Sequence, residues 1–108
     1  MPHLEVPDLP CRYIEKVLPP GKVVALGTEE ELEGVMRAHV QILGEPARAR
    51  FDGTDPRQSS GIRLPGLQII SLRGDSVRLA RFIVAAPGEH PPHFPSGLGI
   101  ALYSAPDG

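Results

Sequence analysis

Apolar residues recur at helical spacing along residues 28–43. Thr28 and Glu31 have the spacing of a capping box, in which each side chain accepts a hydrogen bond from the backbone amide of the other residue. The apolar positions that follow lie three or four residues apart, and Gly44 is a typical residue to end a helix. The pattern therefore predicts an amphipathic helix over this segment. Its buried face would contain Leu32, Val35, Met36, His39, Val40 and Leu43.

Most of the remaining chain has the patterns of β-strands. Residues 12–18 alternate between polar and apolar side chains well enough for a strand, and residues 22–26 form a short, mainly apolar run. Small and charged residues alternate over 47–51, which predicts one covered face and one solvated face. An Arg-Gly-Asp sequence at 73–75 has the composition of a hairpin turn. Further strands are predicted at 62–64, 67–72, 76–85 and 98–104.

The order of these elements predicts an α+β fold. We expect one antiparallel sheet, or a small partly closed barrel, packed on a single amphipathic helix in the order ββα followed by about four strands. All 108 residues are expected to form one domain, because no change in composition marks a boundary. Residues 1–10 contain three prolines and are expected to form an extended arm.

The composition leads us to expect a homo-oligomer. The chain has no Trp, and its twelve glycines and thirteen prolines leave few residues for a core, which must be mainly aliphatic. Residues 82–86 are apolar at consecutive positions, so both faces of that predicted strand require cover. One helix covers only one face of a sheet. Self-association through the sheet or the N-terminal arm would supply the rest.

The N-terminal residues, the short apolar runs and the single cysteine favour a cytoplasmic protein that does not bind membranes. Residues 1–5 have neither the basic nor the apolar part of a signal peptide, and the longest apolar runs are far too short to span a bilayer. Cys11 has no second cysteine with which to form a disulfide or a metal site. The excess of arginine over lysine and the absence of Asn fit either a GC-rich genome or a thermophilic source.

The segment 86–97 is the strongest candidate for a functional loop. Its four prolines stiffen the backbone between two predicted strands. Glu89, His90 and His93 place two imidazoles beside a carboxylate, a combination that binds divalent metals, although the spacing matches no zinc signature. We predict that these residues bind a ligand. His90 and His93 are the candidate metal ligands, and no other cofactor is expected.

Three further residues are candidates for ligand binding. His39 is either a half-buried core residue or a group that projects into a cavity as an acid, base or ligand. Arg48 and Arg50 are two residues apart, so they share one face of the predicted strand, and Arg63 joins them if its own strand is adjacent. Paired guanidinium groups bind carboxylates or phosphates, but an arginine-rich face is also common where a strand simply meets solvent.

Two functions follow from these candidates. The first is a small module that holds a small-molecule ligand or a protein partner without catalysis, because the sequence contains no recognisable catalytic motif. The alternative is a small metal-assisted or acid–base enzyme with a pocket formed by His39, Glu89, His90 and His93. Nucleic acid is not an expected partner, since the net charge is −2 and no nucleic-acid-binding signature is present.

Overall fold

The computed structural model describes residues 11–44, 46–57, 61–85, 88–89 and 96–104. This part of the chain is dominated by β-strands and contains a single helix of four residues, α1. The strands are β1 Cys11–Val17, β2 Val24–Ala25, β3 Val35–Leu43, β4 Ala47–Arg50, β5 Ile62–Leu64, β6 Ile69–Arg73, β7 Arg81–Ile83 and β8 Gly97–Ser104, and α1 is Ser76–Leu79.

The strands form two four-stranded antiparallel sheets. The first sheet has the order β1-β8-β3-β6, and the second has the order β2-β7-β4-β5. The prediction of a small, sheet-rich domain with antiparallel pairing is confirmed. The prediction of a single sheet packed on one helix in the order ββα is wrong, because the segment expected to form that helix is the central strand β3.

The predicted capping box is present, but it closes a turn and not a helix. The Thr28 hydroxyl accepts a hydrogen bond from the Glu31 amide at 3.1 Å, and the Glu31 carboxylate accepts one from the Thr28 amide at 2.9 Å. Gly34 then adopts a φ of 76°, which L side chains rarely tolerate, and this ends the turn. The strand begins at the next residue.

Strand β3 buries every second residue over most of its length. Ala38, Val40 and Ile42 are fully buried, whereas His39 is half-buried and Met36 is exposed. The apolar residues of this segment fit both a helical and a period-two pattern. The strand prevails because β3 pairs with β8 along its length and with β6 over residues 37–41, and such pairing satisfies its backbone groups. The expectation that Met36 and His39 lie on the buried face of a helix is therefore wrong.

The inner faces of the two sheets share one hydrophobic core. Alternate residues of β8 contribute Leu98, Ile100 and Leu102 from the first sheet. Ala49 and Phe82 belong to the same core and come from the second sheet. The alternation predicted for residues 47–51 is confirmed, since the alanines of β4 are buried and its arginines lie on the opposite face.

The segment predicted as one strand over 76–85 is divided in two. Gly74 has a φ of 58°, and the turn there leads into α1 before the chain extends again at Ala80 and enters β7. The prediction that both faces of residues near 82 are covered is confirmed for Phe82, Ile83 and Val84, each at most 2% exposed. The four-residue helix α1 is far too short to span a membrane, and no helix among the described residues is long and apolar enough to do so.

A close backbone crossing links the two sheets. The chain passes from β3 to β4 through Gly44 and from β5 to β6 through Gly66. A Cβ atom on Gly66 would collide with the carbonyl oxygen of Gly44, so this position requires glycine. Hydrogen bonds from the Leu67 amide to the Ile42 carbonyl, at 2.7 Å, and from the Ile42 amide to the Gln68 carbonyl, at 3.0 Å, fix the crossing.

The Thr28→Ala variant tests the contribution of the capping box to this turn. Loss of the hydroxyl leaves the Glu31 amide without its acceptor, so we expect the free energy of unfolding to fall by about 1 kcal/mol in urea titrations. Glu30→Ala, an exposed change in the same turn that leaves the box intact, is the control and should change stability by less than about 0.5 kcal/mol. Equal effects of the two changes would contradict this role.

Candidate functional site

Four arginines occupy neighbouring positions on the outer face of the second sheet. Arg48 of β4 lies directly opposite Arg63 of β5, and Arg50 lies directly opposite Arg81 of β7. Directly opposed residues in antiparallel strands have Cβ atoms about 4.5–5.5 Å apart, and like charges at that separation repel. We call this cluster of Arg48, Arg50, Arg63 and Arg81 the arginine face.

Acidic side chains compensate two of the four charges. The Nε of Arg48 donates a hydrogen bond to Glu89 Oε2 at 2.8 Å, in an ion pair whose side chains are each about one-third exposed. Arg50 donates from Nη2 to Asp52 at 2.6 Å and from Nε to the Thr54 hydroxyl at 2.8 Å. Hydrogen bonds to these acidic side chains thus hold both guanidinium groups in position.

The other two arginines differ in what they contact. Arg81 donates from Nη1 to the carbonyl oxygens of Arg78 and Ala80, which turns its guanidinium toward the end of α1. Arg63 is exposed and has no ion-pair partner among the described residues. Ile83, opposite Arg48 on the β7 side, is fully buried, so the exposed part of the arginine face lies toward β5.

Asp52 is fixed as an anion beside Arg50. Its carboxylate accepts hydrogen bonds from the Thr54 hydroxyl at 2.6 Å, the Thr54 amide at 3.1 Å and Arg50 Nη2 at 2.6 Å. These bonds hold the pKa of Asp52 far below its usual range, with the Thr54 hydroxyl as the largest cause, followed by the Thr54 amide and Arg50. The same network orients the Arg50 guanidinium.

An open groove lies at the end of β4, where Arg50 is the one member of the arginine face that lines it. It is lined mainly by apolar atoms of Ala49, Phe51 and Ile62, with Arg50 and Asp52 beside them, and has a volume of about 310 Å³. Phe51 is held edge-on against the buried ring of Phe82, at 6.1 Å between centroids. The groove therefore offers an apolar wall next to fixed charges, at the small end of the range for ligand pockets.

The structure brings some of the predicted ligand-binding residues together and separates others. Arg48 and Glu89 meet in an ion pair, while Arg50 lies on the same face two residues along. His39 lies on the outer face of the other sheet, where its ring packs against Tyr103 with centroids 5.1 Å apart. The predicted metal ligands, His90 and His93, lie outside the described residues, and within the described part no three His, Cys, Asp or Glu side chains converge on a metal position.

Two contributors to these surfaces were missed from the sequence. Arg81 joins the arginine face because β7 pairs with β4, a long-range register that the predicted strand over 76–85 did not specify. Arg37 places its guanidinium 5.0 Å from the centre of the Tyr103 ring, beside His39. The alternation of Arg37 and His39 along β3 was the available signal, and the helical interpretation concealed it.

Comparison of the chain with protein-family models, with curated proteins and with solved structures found no match. The function is therefore inferred from the geometry of the described surfaces alone.

The Asp52→Asn variant tests the network through its pH dependence. The pKa of Asp52 is lowered in the folded protein, so its stabilisation is complete at neutral pH and is lost as the pH falls below the ordinary aspartate value of 3.8. We expect the urea midpoint of the wild-type chain to fall more between neutral pH and about pH 3 than that of the variant. Thr54→Val removes the hydroxyl that lowers the pKa of Asp52 most, so its urea midpoint should fall by an intermediate amount between the same two pH values. An Asp52→Asn variant whose midpoint falls as much as that of the wild-type chain would contradict this assignment.

Proposed function

We propose that this protein is a binding module for a small anionic ligand that also has an apolar part. The anionic group, a carboxylate or phosphate, would bind Arg63 together with Arg48 and Arg50 on the arginine face. The apolar part would extend past Arg50, around the end of β4, into the groove formed by Phe51 and Ile62. This path is required because Ile62 pairs with Ala49 and therefore points to the face opposite Arg48 and Arg63. The observation that carries this proposal is the directly opposed pair Arg48 and Arg63, of which only Arg48 has an acidic partner among the described residues.

The charge balance of the arginine face supports an anionic ligand. Two opposed arginine pairs are matched by only two carboxylates within the described residues, Glu89 and Asp52. Without a bound anion, the remaining repulsion between neighbouring guanidinium groups opposes folding of this sheet. A ligand that binds only the folded protein and supplies the missing negative charge would stabilise it.

The donors that remain on the face have suitable chemistry. Arg48 uses Nε for Glu89 and Nη1 for the Gly61 carbonyl, and Arg50 uses Nε and Nη2 for Thr54 and Asp52. Arg48 and Arg50 therefore each retain a further terminal nitrogen that can donate a hydrogen bond. The Arg63 guanidinium donates to no described residue, so all of its N–H groups can bind a ligand. Arginine forks match the planar geometry of a carboxylate and the oxygens of a phosphate.

The groove favours a small molecule over a protein partner. An open groove of about 310 Å³ accommodates part of a small molecule. Stable protein interfaces bury much broader surfaces. The metal-assisted enzyme remains a prediction that concerns His90 and His93. Its carboxylate, Glu89, is an ion-pair partner of Arg48 at 2.8 Å, and this pairing favours a structural role for that side chain.

Calorimetric titration with phenyl phosphate and inorganic phosphate tests the proposal. We expect both to bind, and phenyl phosphate to bind more tightly because its ring enters the groove. Arg63→Gln should weaken both by about tenfold or more, because one charge-assisted contact contributes about 1.5 kcal/mol. Ile62→Ser should weaken phenyl phosphate alone.

Arg73→Gln is the matched control for this experiment. Arg73 is also exposed, lies on a strand and faces another arginine, Arg37, but it belongs to the other sheet. Binding unchanged by Arg73→Gln supports a defined site. Absence of binding heat with either compound, or equal losses for Arg63→Gln and Arg73→Gln, would contradict the proposal.

A further inference from the structure

Strand β1 is the longest unprotected edge in the described structure. It has seven residues and pairs on one side with β8, and no described residue pairs with its other side. The other outer strands, β2, β5 and β6, have only two, three and five residues. A short edge strand offers few backbone groups for unwanted pairing, and β1 is too long to be protected in this way.

The backbone groups along this edge belong to the odd-numbered residues. The Leu18 amide donates to the Ser96 carbonyl at 2.9 Å, and the register of β1 with β8 continues from this pair. In an antiparallel pair successive residues point their N–H and C=O groups to opposite sides. Even-numbered residues therefore bond to β8, and Tyr13, Glu15 and Val17 direct their backbone groups outward.

The side chains that would discourage pairing are engaged elsewhere. Lys16 Nζ contacts Glu31 Oε1 at 3.0 Å, and the guanidinium of Arg12 donates to the Glu31 carbonyl oxygen. Both charges thus turn toward the 28–34 turn and away from the edge. Along the same strand the apolar Tyr13 and Val17 are 58% and 71% exposed. Exposed apolar residues beside unpaired backbone groups are typical of a strand that receives a partner strand.

We propose that β1 pairs with β1 of a second copy of this chain. The two strands run antiparallel about a two-fold axis at Ile14, which joins the two four-stranded sheets into one of eight strands. This register overlaps the full length Cys11–Val17 and sets outward-directed residues opposite one another, so every edge N–H and C=O obtains a partner. It is a self-complementary surface.

The side chains fit the same register. Tyr13, whose hydroxyl bonds Glu15 of its own chain at 3.1 Å, comes opposite Glu15 of the second copy. Ile14, a half-buried residue at the margin of the core, meets its own counterpart at the axis and loses its remaining exposure. The register also sets Arg12 opposite Lys16 of the second copy, and the Glu31 carboxylate that pairs with Lys16 reduces the repulsion between these two cations.

Proline substitution tests which edge is used. The wild-type chain should give twice the single-chain mass of 11.6 kDa by light scattering at high micromolar concentration. Glu15→Pro removes an amide that points outward, so the monomer should keep its fold, measured by circular dichroism, and lose the dimer. Ser71→Pro is the matched control, because Ser71 of the edge strand β6 also directs its amide away from its neighbour, β3.

The Ser71→Pro variant should remain dimeric. A wild-type chain of single mass, or a dimer abolished by Ser71→Pro and kept by Glu15→Pro, would overturn the proposal.

Cross-linking tests the register. In a Cys11→Ser background, Ile14→Cys sets two thiols at the axis in a non-hydrogen-bonded pair, where Cα atoms lie about 4.5 Å apart and a disulfide fits. Mild oxidation should convert most of this variant into a covalent dimer. Ser71→Cys in the same background should stay monomeric on a denaturing gel. Equal cross-linking of the two variants, or none at position 14 in a chain that is dimeric by mass, would exclude this register.

Discussion

The pairing of β3 with strands on both of its sides is the constraint on which the structure depends. Its ladders with β8 and β6 hold the strand at the centre of the first sheet and fix which side chains point inward. The bend at Gly44 precedes β4, in which Ala47 and Ala49 are buried, so small residues occupy the inward positions of this strand. Arg48 and Arg50 are directed outward as a consequence. The core and the arginine face therefore have a common origin.

The sequence predicted strands well where an approximate alternation or a glycine-flanked apolar run had no competing pattern. Residues 12–18, 47–51 and 98–104 form strands within one or two residues of the expected bounds. The capping box was also correct as local chemistry, because the Thr28 and Glu31 bonds depend only on a turn. What local pattern did not specify was the element that follows the turn. That outcome depends on β6 and β8, which are distant in sequence and supply the partners of β3.

The candidate site was predictable to the same extent and for the same reason. Spacing alone placed Arg48 and Arg50 on one face of a strand, and the structure bears this out. Register between distant strands placed Arg63 and Arg81 opposite them, and no local signal specifies such a register. The Glu89 carboxylate, which was predicted to join His90 and His93 in a ligand site, lies beside Arg48. Its position links the proline-rich segment to the arginine face.

The proposed anion site requires the opposed arginines on one face of the second sheet to act together. Two-dimensional NMR of the arginine Nε–H groups during titration with phenyl phosphate tests it most directly, because each guanidinium reports its own contact. We expect the Arg48, Arg50 and Arg63 signals to shift together along one saturating binding curve, while those of Arg37 and Arg73 remain in place. Small, non-saturating shifts of similar size at all nine arginines would contradict it.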